Sequence, residues 1–178
     1  DINADDTNIT ASGNVTFDVV GADGHAVTTD LSTGNVLIDG RNEAESAGFE
    51  AITLTNVDTA DGTVSVYNYD NAITATLVDN ADTDKDVRIE TLNAGTISID
   101  QIIANAAADA TLDSAAAIDG VDTADDVADI TAGHVVVEAA TSVGDTAATL
   151  DIDADDTNIT ASGNVTFDVV GADGHAVT

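Results

Sequence analysis

Short runs in which apolar and polar residues alternate recur along the whole chain. Val15-Thr16-Phe17-Asp18-Val19 sets Val, Phe and Val on one face with Thr and Asp on the other. Thr96-Ile97-Ser98-Ile99-Asp100 and Thr149-Leu150-Asp151-Ile152-Asp153-Ala154 alternate the same way. Val64-Ser65-Val66, Val87-Arg88-Ile89 and Val135-Val136-Val137 are shorter members of the series. A period of two, punctuated by Gly, Asn and Asp, predicts half-buried strands. The best helix candidate is the Ala-rich stretch from Gln101 to Ile130. It holds Gly120 and many Asp and lacks a 3.6-residue period, so small-residue coils describe it as well as a helix does.

The pattern returns at two scales. Residues 151–178 repeat residues 1–28 at 27 of 28 positions, the exception being Asn3 against Asp153, at an offset of 150. Agreement of that quality is not chance, and such periods are read first because an array mistaken for one domain gives the wrong fold. Residues 1–150 are thus one full repeat and 151–178 the start of the next, continuous with the first. The chain opens on Asp1 without an initiator Met, a basic n-region or an apolar h-region, and is expected to be a window cut from a longer protein. Within the repeat, Gly13-Asn14-Val15 returns as Gly34-Asn35-Val36, and Ala51-Ile52-Thr53-Leu54-Thr55 as Ala72-Ile73-Thr74-Ala75-Thr76, both 21 residues on. Val57-Asp58-Thr59-Ala60-Asp61 returns as Val121-Asp122-Thr123-Ala124-Asp125, 64 residues on and close to three such steps. About seven sub-repeats of about 21 residues would fill the 150.

Coils of that length carrying short strands describe an all-β fold, a right-handed parallel β-helix. Its coils would stack at roughly 4.8 Å and advance a rod by roughly 34 Å per repeat. The composition suits a thin, regular interior: hydrophobic residues are 43% of the chain but aromatics only 3%, and Pro, Trp and Met are absent. The alternative is a tandem array of Ig-like β-sandwiches. Those run about 100 residues with a buried aromatic anchor, which neither the 150-residue period nor the two Tyr and three Phe suit. Pieces such as Ala161-Ser162-Gly163-Asn164-Val165-Thr166-Phe167 and Ala94-Gly95-Thr96-Ile97-Ser98-Ile99 resemble coils of filamentous-haemagglutinin-like large exoproteins and giant bacterial adhesins. The resemblance covers most of the chain through degenerate Gly-x-Val/Ile pieces. It implies a secreted or surface-exposed rod, with adhesion often located elsewhere in the protein.

Charge narrows the function. Arg41, Lys85 and Arg88 face 34 acidic residues, 29 of them Asp, for a net charge of −31. Nucleic acid, which needs clustered Lys and Arg, is excluded as a partner. No apolar run is long enough to span a membrane. Asp rather than Glu places the acid on turns and strand faces. Such a density calls for counter-ions, and Ca²⁺ is the candidate cofactor. Asp82, Asp84 and Asp86 alternate as at the opening of a calcium loop. Val87 stands where an EF-hand has Gly, and Asn93 where it has Glu, so a solvated acidic turn is the competing reading. Asp151, Asp153, Asp155 and Asp156, with the first-copy positions Asp1, Asn3, Asp5 and Asp6, form a second candidate at the repeat boundary. Asn8, Asn14, Asn158 and Asn164 head glycosylation sequons. His25, its copy His175, and His134, read as preceding a strand, have no ligand-spaced partner. Carboxylate pairs abound, but Tyr67 and Tyr69 are the only tyrosines available to stack a sugar, and no catalytic residue is assigned. The expectation is an extracellular or cell-surface structural protein forming a rod, stalk, sheath or fibre, partnered by further copies of its own repeat. The alternative is a calcium-dependent adhesin whose repeats bind a surface or carbohydrate ligand directly.

Overall fold

The alternating runs become strands, and the strands stack. A computed structural model describes residues 6–18, 25–31, 34–41, 51–80, 84–121, 127–145, 147–171 and 176–178. In chain order the strands are β1 (Asp6–Ala11), β2 (Val15–Asp18), β3 (His25–Leu31), β4 (Val36–Gly40), β5 (Ile52–Thr59) and β6 (Val64–Asn68). There follow β7 (Ile73–Ala75), β8 (Val78–Asn80), β9 (Val87–Thr91), β10 (Ile97–Ile99), β11 (Ile102–Ala104) and β12 (Asp109–Ser114). The last are β13 (Ile118–Gly120), β14 (Ile130–Ala139), β15 (Leu150–Ala161), β16 (Phe167–Val169) and β17 (Ala176–Val177). No helix occurs among the described residues, and the Ala-rich 101–130 stretch is strand and turn. The fold is a parallel β-solenoid of about six turns.

The chain lays its segments alternately on two walls. The first wall is the ladder β1–β3–β5, continued by β7 with β8 and by β10 with β11, each pair splitting the wall at a bend. It runs on through β13 and the start of β14, then Val143 and the start of β15, and ends on Val165 and β16. The second wall is β2–β4–β6–β9–β12, then the later halves of β14 and β15, and β17. Every pairing is parallel, and like residues meet in columns, as in Ile52↔Ile73 and Val64↔Val87.

Between the walls lies one continuous core. Ile38, Ile52, Leu54, Ile73, Ile89 and Leu112 are fully buried. Branched aliphatic side chains are stiff and fit a pleated surface, so they fill this narrow interior without aromatics. Each such side chain taken from water contributes about 1.5–3 kcal/mol. In the later coils Ala104, Ala108, Ala110 and Ala132 take inward positions, so the Ala-rich composition narrows the solenoid without breaking it.

The corners are built by small and polar residues. Gly34 has φ +108°, and a Cβ there would sit 2.5 Å from the Gly13 carbonyl carbon. One coil on, a Cβ at Gly62 would lie 2.0 Å from the Gly34 oxygen, so neither position admits a side chain. Beside them the Asn35 amide donates to Asn14 Oδ1 at 3.0 Å, and the Thr63 amide to Asn35 Oδ1 at 2.9 Å. The repeated Gly-Asn-Val is therefore a stacked corner. At the far end of the second wall, Asn68, Thr91 and Ser114 form a buried polar column. Thr91 and Ser114 both donate to the Gly95 carbonyl, at 2.9 and 3.0 Å, which meets the requirement that buried polar groups be paired.

Two readings of the period change. Coils lie about 23 residues apart, not 21. From Val15 the second wall advances by 21, 28, 23, 23, 25 and 22 residues to Thr157. Stacking fixes the strands, while corners absorb extra residues, so the spacing drifts. The 64-residue echo is not a stack. Val57 pairs with Val78 and is buried, whereas Val121 is half exposed just after β13, and 122–125 lie outside the described residues.

Candidate functional site

Outward-facing side chains form columns of their own, and these carry the charge. On the second wall one column runs Asp39, Tyr67, Glu90, Asp113, Glu138, Thr160. Arg41 grips Asp39 with Nε at 2.8 Å and Nη2 at 2.6 Å, and lays its guanidinium 3.9 Å from the centre of the Tyr67 ring. The hydrogen bond from Arg41 holds the Asp39 carboxyl below its usual range against the opposing effect of burial. Arg88 holds Glu90 Oε2 with Nε at 3.1 Å and Nη2 at 2.7 Å, and stands 3.9 Å from Asp113. Burial, then Glu90 and Glu138, push the Asp113 carboxyl up despite Arg88. An open groove of about 420 Å³ follows this column, lined by Glu90, Asp113, Glu138, Thr91, Ser114 and Thr160 among others.

The first wall has a column of Asp30, Asp58 and Asp79. Burial, then the charges of Asp79 and Asp30, raise the Asp58 carboxyl. Asp119 is raised by burial and by Asp145. Carboxylates one coil apart are close enough to repel, and the surface tolerates this because most of them remain wet.

The candidate calcium residues fall in different places. Asp82 lies outside the described residues, as do Asp1 and Asp5. Asp84 is exposed with φ 58°. Asp86 is exposed and accepts the Asp109 amide at 3.0 Å, capping the next coil. At the repeat boundary, Asp151 is buried and its amide donates to Asp129 Oδ2 at 2.9 Å, while Asp153 is half-buried and Asp155 exposed. Asp156 accepts from His134 Nδ1 at 2.7 Å, and Asp6 is exposed on β1. Among the described residues no three His, Asp or Glu side chains form a group that could hold a metal ion.

His134 lies inside β14, not before it, flanked in the ladder by Asp109 and Asp156. Sequence reading missed this because the two carboxylates are 25 residues before it and 22 after. The side chains of His25 and His175 lie outside the described residues. All four sequon asparagines, Asn8, Asn14, Asn158 and Asn164, are exposed. Asn14 also serves the Gly-Asn corner through its Oδ1. The Asp39–Arg41–Tyr67 set was legible only in part: Asp-x-Arg puts both ends on one side of an extended chain, but Tyr67 arrives one coil later.

Chemically the surface can bind and repel charge. One face of Tyr67 is occupied by Arg41. No helix among the described residues is long and apolar enough to cross a membrane. No protein-family model, curated protein or solved structure matches the chain.

Proposed function

We propose that the chain is a segment of an extracellular structural rod, built from tandem 150-residue repeats and serving as a stalk, sheath or fibre, with no catalytic role. One observation carries the reading. The second copy of the repeat stacks on the first through the full length of β14 and β15, from Ile130↔Ile152 to Ala139↔Ala161, with no linker between them. An array joined this way lengthens by adding coils, and its stability is a sum of nearest-neighbour terms. The likeness to large exoproteins and giant adhesins in the Gly-x-Val/Ile coils supports a place outside the cell, and the net charge of −31 supports rods that stay apart in solution.

The test is length against repeat number. Proteins with two, four and six repeats, imaged by negative-stain electron microscopy, should be straight and gain about 31 Å per repeat at about 4.8 Å per coil. Beads on a flexible string, or a compact particle of constant length, would end the rod reading. Calcium is a separate proposal resting on the Asp patterns. It predicts a melting temperature higher in millimolar calcium than in an equal ionic strength of sodium with chelator, and equal melts would dismiss it.

A further inference from the structure

The two copies of the 28-residue segment lie on opposite walls. In the first copy β1 belongs to the first wall, whereas its counterpart, Asp156–Ala161 of β15, belongs to the second. In the first copy β2 belongs to the second wall, whereas its counterparts, Val165 and Phe167–Asp168, belong to the first. In the first copy β3 belongs to the first wall, whereas its counterpart β17 belongs to the second. Local register is nonetheless preserved: Asp6↔Ala26 and Thr7↔Val27 in one copy match Asp156↔Ala176 and Thr157↔Val177 in the other.

The cause is arithmetic. Between β1 and its counterpart the chain changes walls thirteen times, through β2, β3, β4, β5, β6, β7 with β8, β9, β10 with β11, β12, β13 with early β14, late β14, Val143 with early β15, and late β15. Thirteen wall changes are six and a half turns, and 150 residues over that number give about 23 per turn, the spacing seen. An odd count cannot return a residue to its own wall. We infer that the 150-residue repeat is half a turn out of phase with the solenoid, so that successive repeats present the same side chains on alternate sides of the rod.

Phase is restored only after two repeats, 300 residues and thirteen turns. Every exposed group of the repeat, from the sequon Asn8 to the Arg88–Glu90 pair, is then offered on both sides of an array. Such a rod suits like neighbours on both flanks, copies of itself, better than a rod lying with one face on a surface. This rests on the reading of the chain as part of an array, but its geometry can be tested within the 178 residues.

The chain has no cysteine, so paired substitutions take spin labels at chosen sites alone. Asn8, Thr16 and Asn158 are all exposed. Thr16 shares a column with Asn158, six coils away, through Leu37, Ser65, Arg88, Thr111 and Val136. Electron–electron distances should centre near 30 Å for Thr16→Cys with Asn158→Cys, and about 10 Å longer for Asn8→Cys with Asn158→Cys, which spans the rod. The reverse order, or equal distances, would place the two copies in phase or nearly so and overturn the inference while leaving the rod intact. Broad, featureless distributions for both pairs would overturn the inference and the solenoid together.

Discussion

The molecule contains its own control: one stretch of sequence in two positions along the stack. Val27, in the first copy, is paired on one side with Thr7 and on the other with Leu54, and is fully buried. Val177, the same residue in the second copy, is paired with Thr157 alone and is 50% exposed. The reverse holds at the other end of the segment. Thr157, between Val135 and Val177, is buried, whereas Thr7, paired with Val27, is only half-buried. Strand type and register are written locally, but burial is supplied by the neighbouring coil. That is the behaviour of a one-dimensional stack, in which a residue's worth depends on its place in the array.

The largest expected difference follows from that pair. Val27→Ala should cost about 2 kcal/mol, because it removes two buried methyl groups and leaves a gap that stacked backbones cannot close. Val177→Ala should cost less than about 0.5 kcal/mol. Urea melts of the two variants, with amide exchange to localise the loss, would check this. Extending the chain by a further fifty residues of the repeat should raise the Val177→Ala cost to that of Val27→Ala. If it does not, burial is being set by something other than the next coil.

How much of this the sequence disclosed depends on distance along the chain. The strands were legible from alternation at Val15–Asp18, Val64–Val66, Ile97–Ile99 and Leu150–Asp153, because inside and outside differ at adjacent residues. Parallel stacking was legible from Gly-Asn-Val and Ile-Thr echoes, because like residues recur one coil apart. The coil length was not, since the early 21-residue echoes come from the shortest coils and the later steps run to 28. Charge pairing was least legible. Linear runs such as 82-84-86 and 151-153-155-156 suggest convergence, but along a strand alternate residues share a side and stay about 6.5 Å apart. The meetings that form, Asp39 with Arg41 beneath Tyr67 or His134 with Asp156, depend on register between coils.

A smaller contrast concerns Gly13 and Gly163, again one position in two copies. A Cβ at Gly163 would lie 2.7 Å from the Thr141 carbonyl oxygen on the coil beneath, while a Cβ at Gly13 meets nothing within 4 Å. Gly163→Ala should therefore cost about 1–2 kcal/mol through forced displacement of backbone. Gly13→Ala should be neutral or stabilise by up to about 1 kcal/mol, by reducing the freedom of the unfolded chain. Adding a preceding repeat would place its Thr141 against Gly13, and the benefit should turn into a cost. The same melts read both variants.

The smallest difference is electrostatic, and here the duplicate removes a confounding effect. Asp156 accepts from His134 at 2.7 Å, but the two side chains are 51% and 39% exposed, so the pair is worth at most about 0.5 kcal/mol. In a chain of net charge −31 even that is hard to see, because Asp156→Asn also relieves general repulsion and stabilises. Asp6→Asn removes the same charge from the same local sequence on the coil where no His134 precedes it in this chain. Subtracting the two effects leaves the contribution of the pair. The difference should be a few tenths of a kcal/mol in favour of Asp6→Asn at low ionic strength, and should vanish near 1 M salt, where charges beyond about 3 Å are screened. A difference that survives high salt would mean that Asp156 supports β15 by hydrogen bonding, and that the contrast between the copies is one of structure after all.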